Sequence, residues 1–89
     1  MTRRKPRTPA TIIRDLSRHT RTLTVGARVW MPVNKAEGWD EERGTLIAVD
    51  YKKYVVTVEL DEQYREPPQG TFVDDGLRET GAEFVRLLR

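Results

Sequence analysis

The sequence predicts a mainly β fold: five short strands closed into a small barrel, preceded by a short amphipathic helix and a basic arm. Three observations lead there. Residues 54–61, YVVTVELD, alternate so that Tyr54, Val56, Val58 and Leu60 share one face while Val55, Thr57 and Glu59 share the other, the period-2 pattern of a half-buried strand. Helical spacing occurs in one segment only, near the N-terminus. The other apolar runs are strand-sized and separated by turn residues, and a set of short strands without further helices closes most simply as a barrel.

In chain order, MTRRKPR at residues 1–7 has no apolar periodicity and leads into Pro6 and Pro9. Residues 1–8 are therefore expected to be a disordered basic arm. The helix is expected over residues 9–23. Thr8 suits its N-cap and Pro9 its first position, where the missing N–H costs nothing. At 100° per residue, Ile12, Leu16 and Leu23 fall together with Ile13 beside them, and Arg14, Arg18 and Arg21 gather opposite. A helix of that length is unstable alone, so its apolar face needs a packing partner.

Gly26 marks the break into a barrel domain over residues 25–89. Residues 27–33 read as a strand until Pro32. Residues 34–43, NKAEGWDEER, read as a long polar loop around Gly38. Residues 44–50 and 54–61 form a hairpin across a tight connection at 51–53. A loop broken by Pro67 and Pro68 leads to a short strand at 71–75 ended by Gly76. A single helical turn at 80–83 then precedes a last strand from Phe84 to Leu88.

The totals narrow the function. A chain of 89 residues is one domain that buries only about 60–65% of its unfolded surface, too little to wall a deep enzyme cleft. Without cysteine there is no disulfide, thiolate zinc site or thiol nucleophile. No apolar run is long enough for a membrane span or signal peptide, so a cytoplasmic location is expected. The net charge of +2 conceals an asymmetry. Residues 1–24 carry Arg3, Arg4, Lys5, Arg7, Arg14, Arg18 and Arg21 against Asp15 alone, while acidic residues outnumber basic ones in the remainder. Such an arm points to an anionic partner.

The order VGARVWMP, RGTLIAVD, VVTVELDE and GAEFVRLL resembles the Src-homology-3-like small barrels, the KOW and Tudor modules among them, over residues 25–89. The resemblance is to the superfamily and to no particular family within it. It implies a five-stranded barrel with a one-turn helix before the last strand, and a binding role. The Pro-x-x-Tyr of peptide-binding Src-homology-3 domains is absent, since Gly81, Ala82, Glu83 and Phe84 stand at the corresponding place. Tudor domains bind methylated Lys or Arg in an aromatic cage, because cation–π attraction needs ring faces around the cation. Trp39, Tyr51 and Tyr54, with Asp40 and Glu41, supply the residue types for one.

Candidate contact residues follow from charge and aromaticity. Arg14, Arg18 and Arg21 project at i, i+4 and i+7 and, with Arg3, Arg4, Lys5 and Arg7, suit a phosphate backbone. Lys52 and Lys53, between Tyr51 and Tyr54, add phosphate contact beside rings on which bases stack. The competing reading is a solvated helix face and a turn kept soluble by its lysines. Trp39, in a polar segment, is a candidate partner contact together with Tyr51 and Tyr54, whereas Trp30, beside Val29, reads as core or rim. His19, the only histidine, reads as packing or capping. No Ser-His-Asp spacing, phosphate-binding glycine loop or metal-ligand pattern is present. The expectation is a non-enzymatic module without cofactor or metal that contacts DNA or RNA through its arm and helix, with the barrel loops adding specificity. The alternative is a protein-interaction adaptor or small inhibitor whose acidic barrel and Trp39 segment meet a basic protein. Homo-oligomers paired through Ile12, Ile13, Leu16 and Leu23 are a further possibility.

Overall fold

The computed structural model describes residues 9–88, with side chains from Arg14 onward. The arm, with Arg3, Arg4, Lys5 and Arg7, lies outside the described residues, as do the side chains of Ile12 and Ile13. Helix α1 (Pro9–Thr22) begins at the proline. Its last turn is closed by threonine hydroxyls: Thr20 donates to the Leu16 carbonyl at 2.7 Å and Thr22 to that of His19 at 2.6 Å. Leu23 follows directly and is fully buried.

Five strands follow: β1 (Arg28–Lys35), β2 (Gly38–Asp50), β3 (Val55–Leu60), β4 (Leu77–Gly81) and β5 (Arg86–Leu87). One-turn 3-10 helices lie at Glu62–Tyr64 and Ala82–Phe84. All pairings are antiparallel in one sheet ordered β4-β3-β2-β1-β5. The expected backbone closure into a barrel is absent, because β4 and β5 are the two edges and do not pair with each other. β5 has only two residues and pairs with β1 on one side, Val29 opposite Leu87 and Trp30 opposite Arg86.

The segment expected as a polar loop at 34–43 is a hairpin. β1 runs on through Pro32 to Lys35, turns at Ala36–Glu37, and returns as β2 from Gly38, whose φ of +117° favours glycine. Pro32 stands opposite Glu41 within the pairing. The expected strand at 71–75 is instead a loop with one isolated bridge, Gln69 to Phe72, and the fourth strand begins at Leu77. The central hairpin is present, as is a helical turn before the last strand.

The core lies on the inner face of the sheet: Val29 and Met31 of β1, Leu46 of β2, and Val56, Val58 and Leu60 of β3, with Leu23, Ala82 and Val85. The face assigned to β3 by alternation is the buried one. A bulge at Ile47 shifts the register by one residue, so that Leu46 faces Val58 and Val49 faces Val56; such bulges bend a strand. At Gly44 the two strands approach closely, leaving no room for a β-carbon: an added one would stand 2.6 Å from a Val58 methyl and 2.7 Å from the Glu59 carbonyl oxygen.

Candidate nucleic-acid interface

Helix α1 is fixed by its C-terminal half. His19 Nε2 stands 2.8 Å from the Ala82 carbonyl oxygen and 2.7 Å from that of Val85. Both are acceptors, so the ring donates from Nε2 to the turn between β4 and β5. Leu16 packs on the core and Leu23 belongs to it. These two side chains, expected in a helix-pairing face, are thus occupied within the chain.

Docked this way, the helix leaves Arg14, Arg18 and Arg21 exposed. Arg21 donates to Ser17 Oγ at 3.0 Å. Among the described residues, Arg14 and Arg18 have no hydrogen-bond or ion-pair partner. The described arginines of the body, from Arg28 to Arg86, are all engaged. Arg28 makes a two-pronged pair with Asp61, Arg78 another with Asp74, and Arg86 another with Glu41. Arg65 donates to the Leu60 carbonyl and pairs with Glu59, and Arg43 donates to the Tyr64 hydroxyl. The guanidinium of Arg28 holds the Asp61 carboxyl below the usual carboxylate range, and that of Arg86 does the same for Glu41. Asp74 is held well below that range by Arg78 and by the backbone N–H groups of Glu66 and Gly76.

The turn carrying Lys52 and Lys53 meets the end of the helix. Tyr51, half exposed, donates its hydroxyl to the Leu23 carbonyl at 3.0 Å. Asp50 Oδ1 accepts the N–H groups of Lys52 and Lys53, which lowers its carboxyl pKa and shapes the turn. Tyr54, at φ 56°, packs against the core and its carbonyl accepts the Ala82 N–H. The fold therefore brings Lys52 and Lys53, exposed and outside any ion pair among the described residues, to the same end of the molecule as the C-terminus of α1.

It does not bring Trp39 to the tyrosines. Trp39 lies at the start of β2, exposed on the hairpin, and Tyr51 just past its end, a separation on the order of 35–40 Å along the strand. No cage joins these three rings. Trp30, half-buried on the outer face, sits between two guanidinium groups, Arg43 at 5.9 Å and Arg86 at 5.7 Å from the ring centre. This ladder across β2, β1 and β5 was not legible in the sequence, because its members are far apart in the chain.

Trp39 borders a groove of about 860 Å³ on the inner side of the open sheet, with Tyr64, Pro67 and Phe84 in its walls. Buried Glu42 faces it, ion-paired with Lys35. Among the described residues no group of three side chains is placed to hold a metal ion, and no helix is long and apolar enough to cross a membrane. Comparison with protein-family models, with curated proteins and with solved structures finds no match to this chain.

Proposed function

We propose that the protein is a small non-enzymatic binding module that attaches to the phosphate backbone of DNA or RNA, with α1 and the Lys52–Lys53 turn as its contact surface. The observation that carries this reading is the contrast between the two sets of cations. Every arginine of the body from Arg28 to Arg86 is held by a carboxylate, a hydroxyl or a carbonyl, whereas Arg14, Arg18, Lys52 and Lys53 present charge to solvent. Unpartnered cations along α1 and on the turn that meets its C-terminal end are what counterion release from a polyanion requires. The arm extends the basic sequence at the N-terminal side of the same helix. We further place the body among the Src-homology-3-like folds. The strand order, with β5 beside β1 and a 3-10 turn between the last two strands, supports that assignment.

The test is fluorescence anisotropy with labelled duplex DNA, single-stranded DNA and RNA across a salt series. We expect binding that weakens linearly in log salt. The triple variant Arg14→Gln, Arg18→Gln, Arg21→Gln should lower the slope by about 2–3, close to one for each phosphate no longer neutralised. Affinity that ignores salt, or absence of binding at low salt, overturns the proposal.

A further inference from the structure

We infer that the free edge of β4 and the groove beside it form a second site, for an extended basic segment of a partner protein added to the sheet as a sixth strand. The inference goes beyond nucleic-acid contact and concerns another part of the molecule. β4 pairs with β3 on one side only, through Leu77 to Gly81, and is an outermost strand. On its other side the backbone groups of Leu77 are taken by the Asp75 carboxylate and the Arg78 guanidinium, and those of Glu79 and Gly81 remain open as a template for strand addition. Arg78 and Thr80 of this strand line the groove, and Glu79 stands at its rim.

Apolar side chains mark out the site. Leu77 at the start of β4 is 43% exposed, Phe84 beyond its end 58%, and Trp39 in the groove wall 74%. Phe72 and Val73 lead into the strand, likewise exposed. Scattered singly, such residues mean little; around an unpaired edge and an open groove they outline a docking surface.

The charges select the occupant. Each cation lining the groove is already neutralised: Lys35 by Glu42 and Asp40, Arg65 by Glu59, Arg78 by Asp74. Glu66 and Glu79 carry no ion pair among the described residues, so the uncompensated charge is negative. A polyanion is repelled there. A segment bearing Lys or Arg gains both carboxylates and the exposed ring faces of Trp39 and Phe84. A second copy of this chain fits less well, because antiparallel self-pairing of β4 about its midpoint sets Glu79 against Glu79.

The experiment is selection of random octapeptides, displayed on phage, by the full-length protein, followed by hydrogen exchange of the amides with the winning peptide. Peptides rich in Lys or Arg with alternating apolar residues are expected. They should slow exchange at Glu79 and Gly81, whose amides face away from β3, and lose at least tenfold in affinity to Trp39→Ala and to Glu66→Lys, Glu79→Lys. All three substituted side chains lie on the surface, so these variants keep the fold. The proposal is overturned if no peptide is selected, if those selected are acidic or uncharged, or if protection falls outside β4. Protection of β4 that rises with protein concentration alone would assign the edge to self-association and overturn it equally.

Discussion

Replacing Gly44 with alanine separates two effects of opposite sign. Gly44 does not have a positive φ, so alanine is compatible with its backbone. On conformational entropy alone the change stabilises by about 0.4–1 kcal/mol, through a less flexible unfolded chain. Packing opposes this. The new methyl would stand 2.6 Å from Val58 Cγ1 and 2.7 Å from the Glu59 carbonyl oxygen, where ordinary contact begins at 3.4 Å. One obstacle is backbone, so no rotamer change relieves it, and β3 must retreat by about 0.7–0.8 Å against a ladder that pairs Gly44 with Leu60. Overpacking of this kind costs about 1–3 kcal/mol, so the net expectation is a loss of about 1–2 kcal/mol. Urea denaturation followed by far-UV circular dichroism reads it directly, and each kcal/mol should lower Tm by about 4–8 °C. A Gly44→Ala protein as stable as the parent, or more so, would refute the reasoning, because β2 and β3 would then have room at this crossing.

Two further outcomes follow from the polar contacts. His19→Ala should cost about 1–2 kcal/mol by leaving the Ala82 and Val85 carbonyls without their donor, and should speed amide exchange in α1 more than in β3; His19→Gln, which keeps an N–H donor, should recover part of the loss. The carboxyls of Asp50, Asp61, Asp74 and Glu41 are all held low in the folded protein. Their contribution is therefore complete above the usual carboxylate value of about 4 and lost as pH falls below it. Tm measured against pH should stay level from neutrality to about pH 5 and drop below about pH 4, less steeply in Asp74→Asn.

The parts of the fold readable in the sequence were those whose side chains sort by water. Val56, Val58 and Leu60 alternate because one face of β3 is buried, and Leu16 and Leu23 lie on the helix face that meets the core. The hairpin tip reads as a polar loop because its strands run past the core: the first four residues of β2 are all exposed, so no apolar alternation marks them. Ion pairs of Lys35 with Glu42 and of Glu41 with Arg86 hold that region instead. Conversely, Thr71, Phe72 and Val73 are strand-like in composition yet exposed in a loop, while the fourth strand is the polar Leu-Arg-Glu-Thr-Gly. Strand preference reflects fit to a pleated, half-buried surface, and the loop offers none. Among the candidate site residues, the helix arginines were legible as a stripe, but their lack of carboxylate partners is a property of the folded chain. The groove joins β1, β2, β4 and the loop after β3, a juxtaposition that no local pattern encodes.

Strand β2 acts as a spacer. Thirteen residues of continuous strand carry the Lys52–Lys53 turn at one end and Trp39 at the other, and a paired strand neither stretches nor folds back as a flexible linker does. Ligands held at the two ends are therefore kept at a fixed distance and orientation. Binding one raises the local concentration of the second only when the pair already matches that span. This geometry selects assemblies by their dimensions as well as by their chemistry.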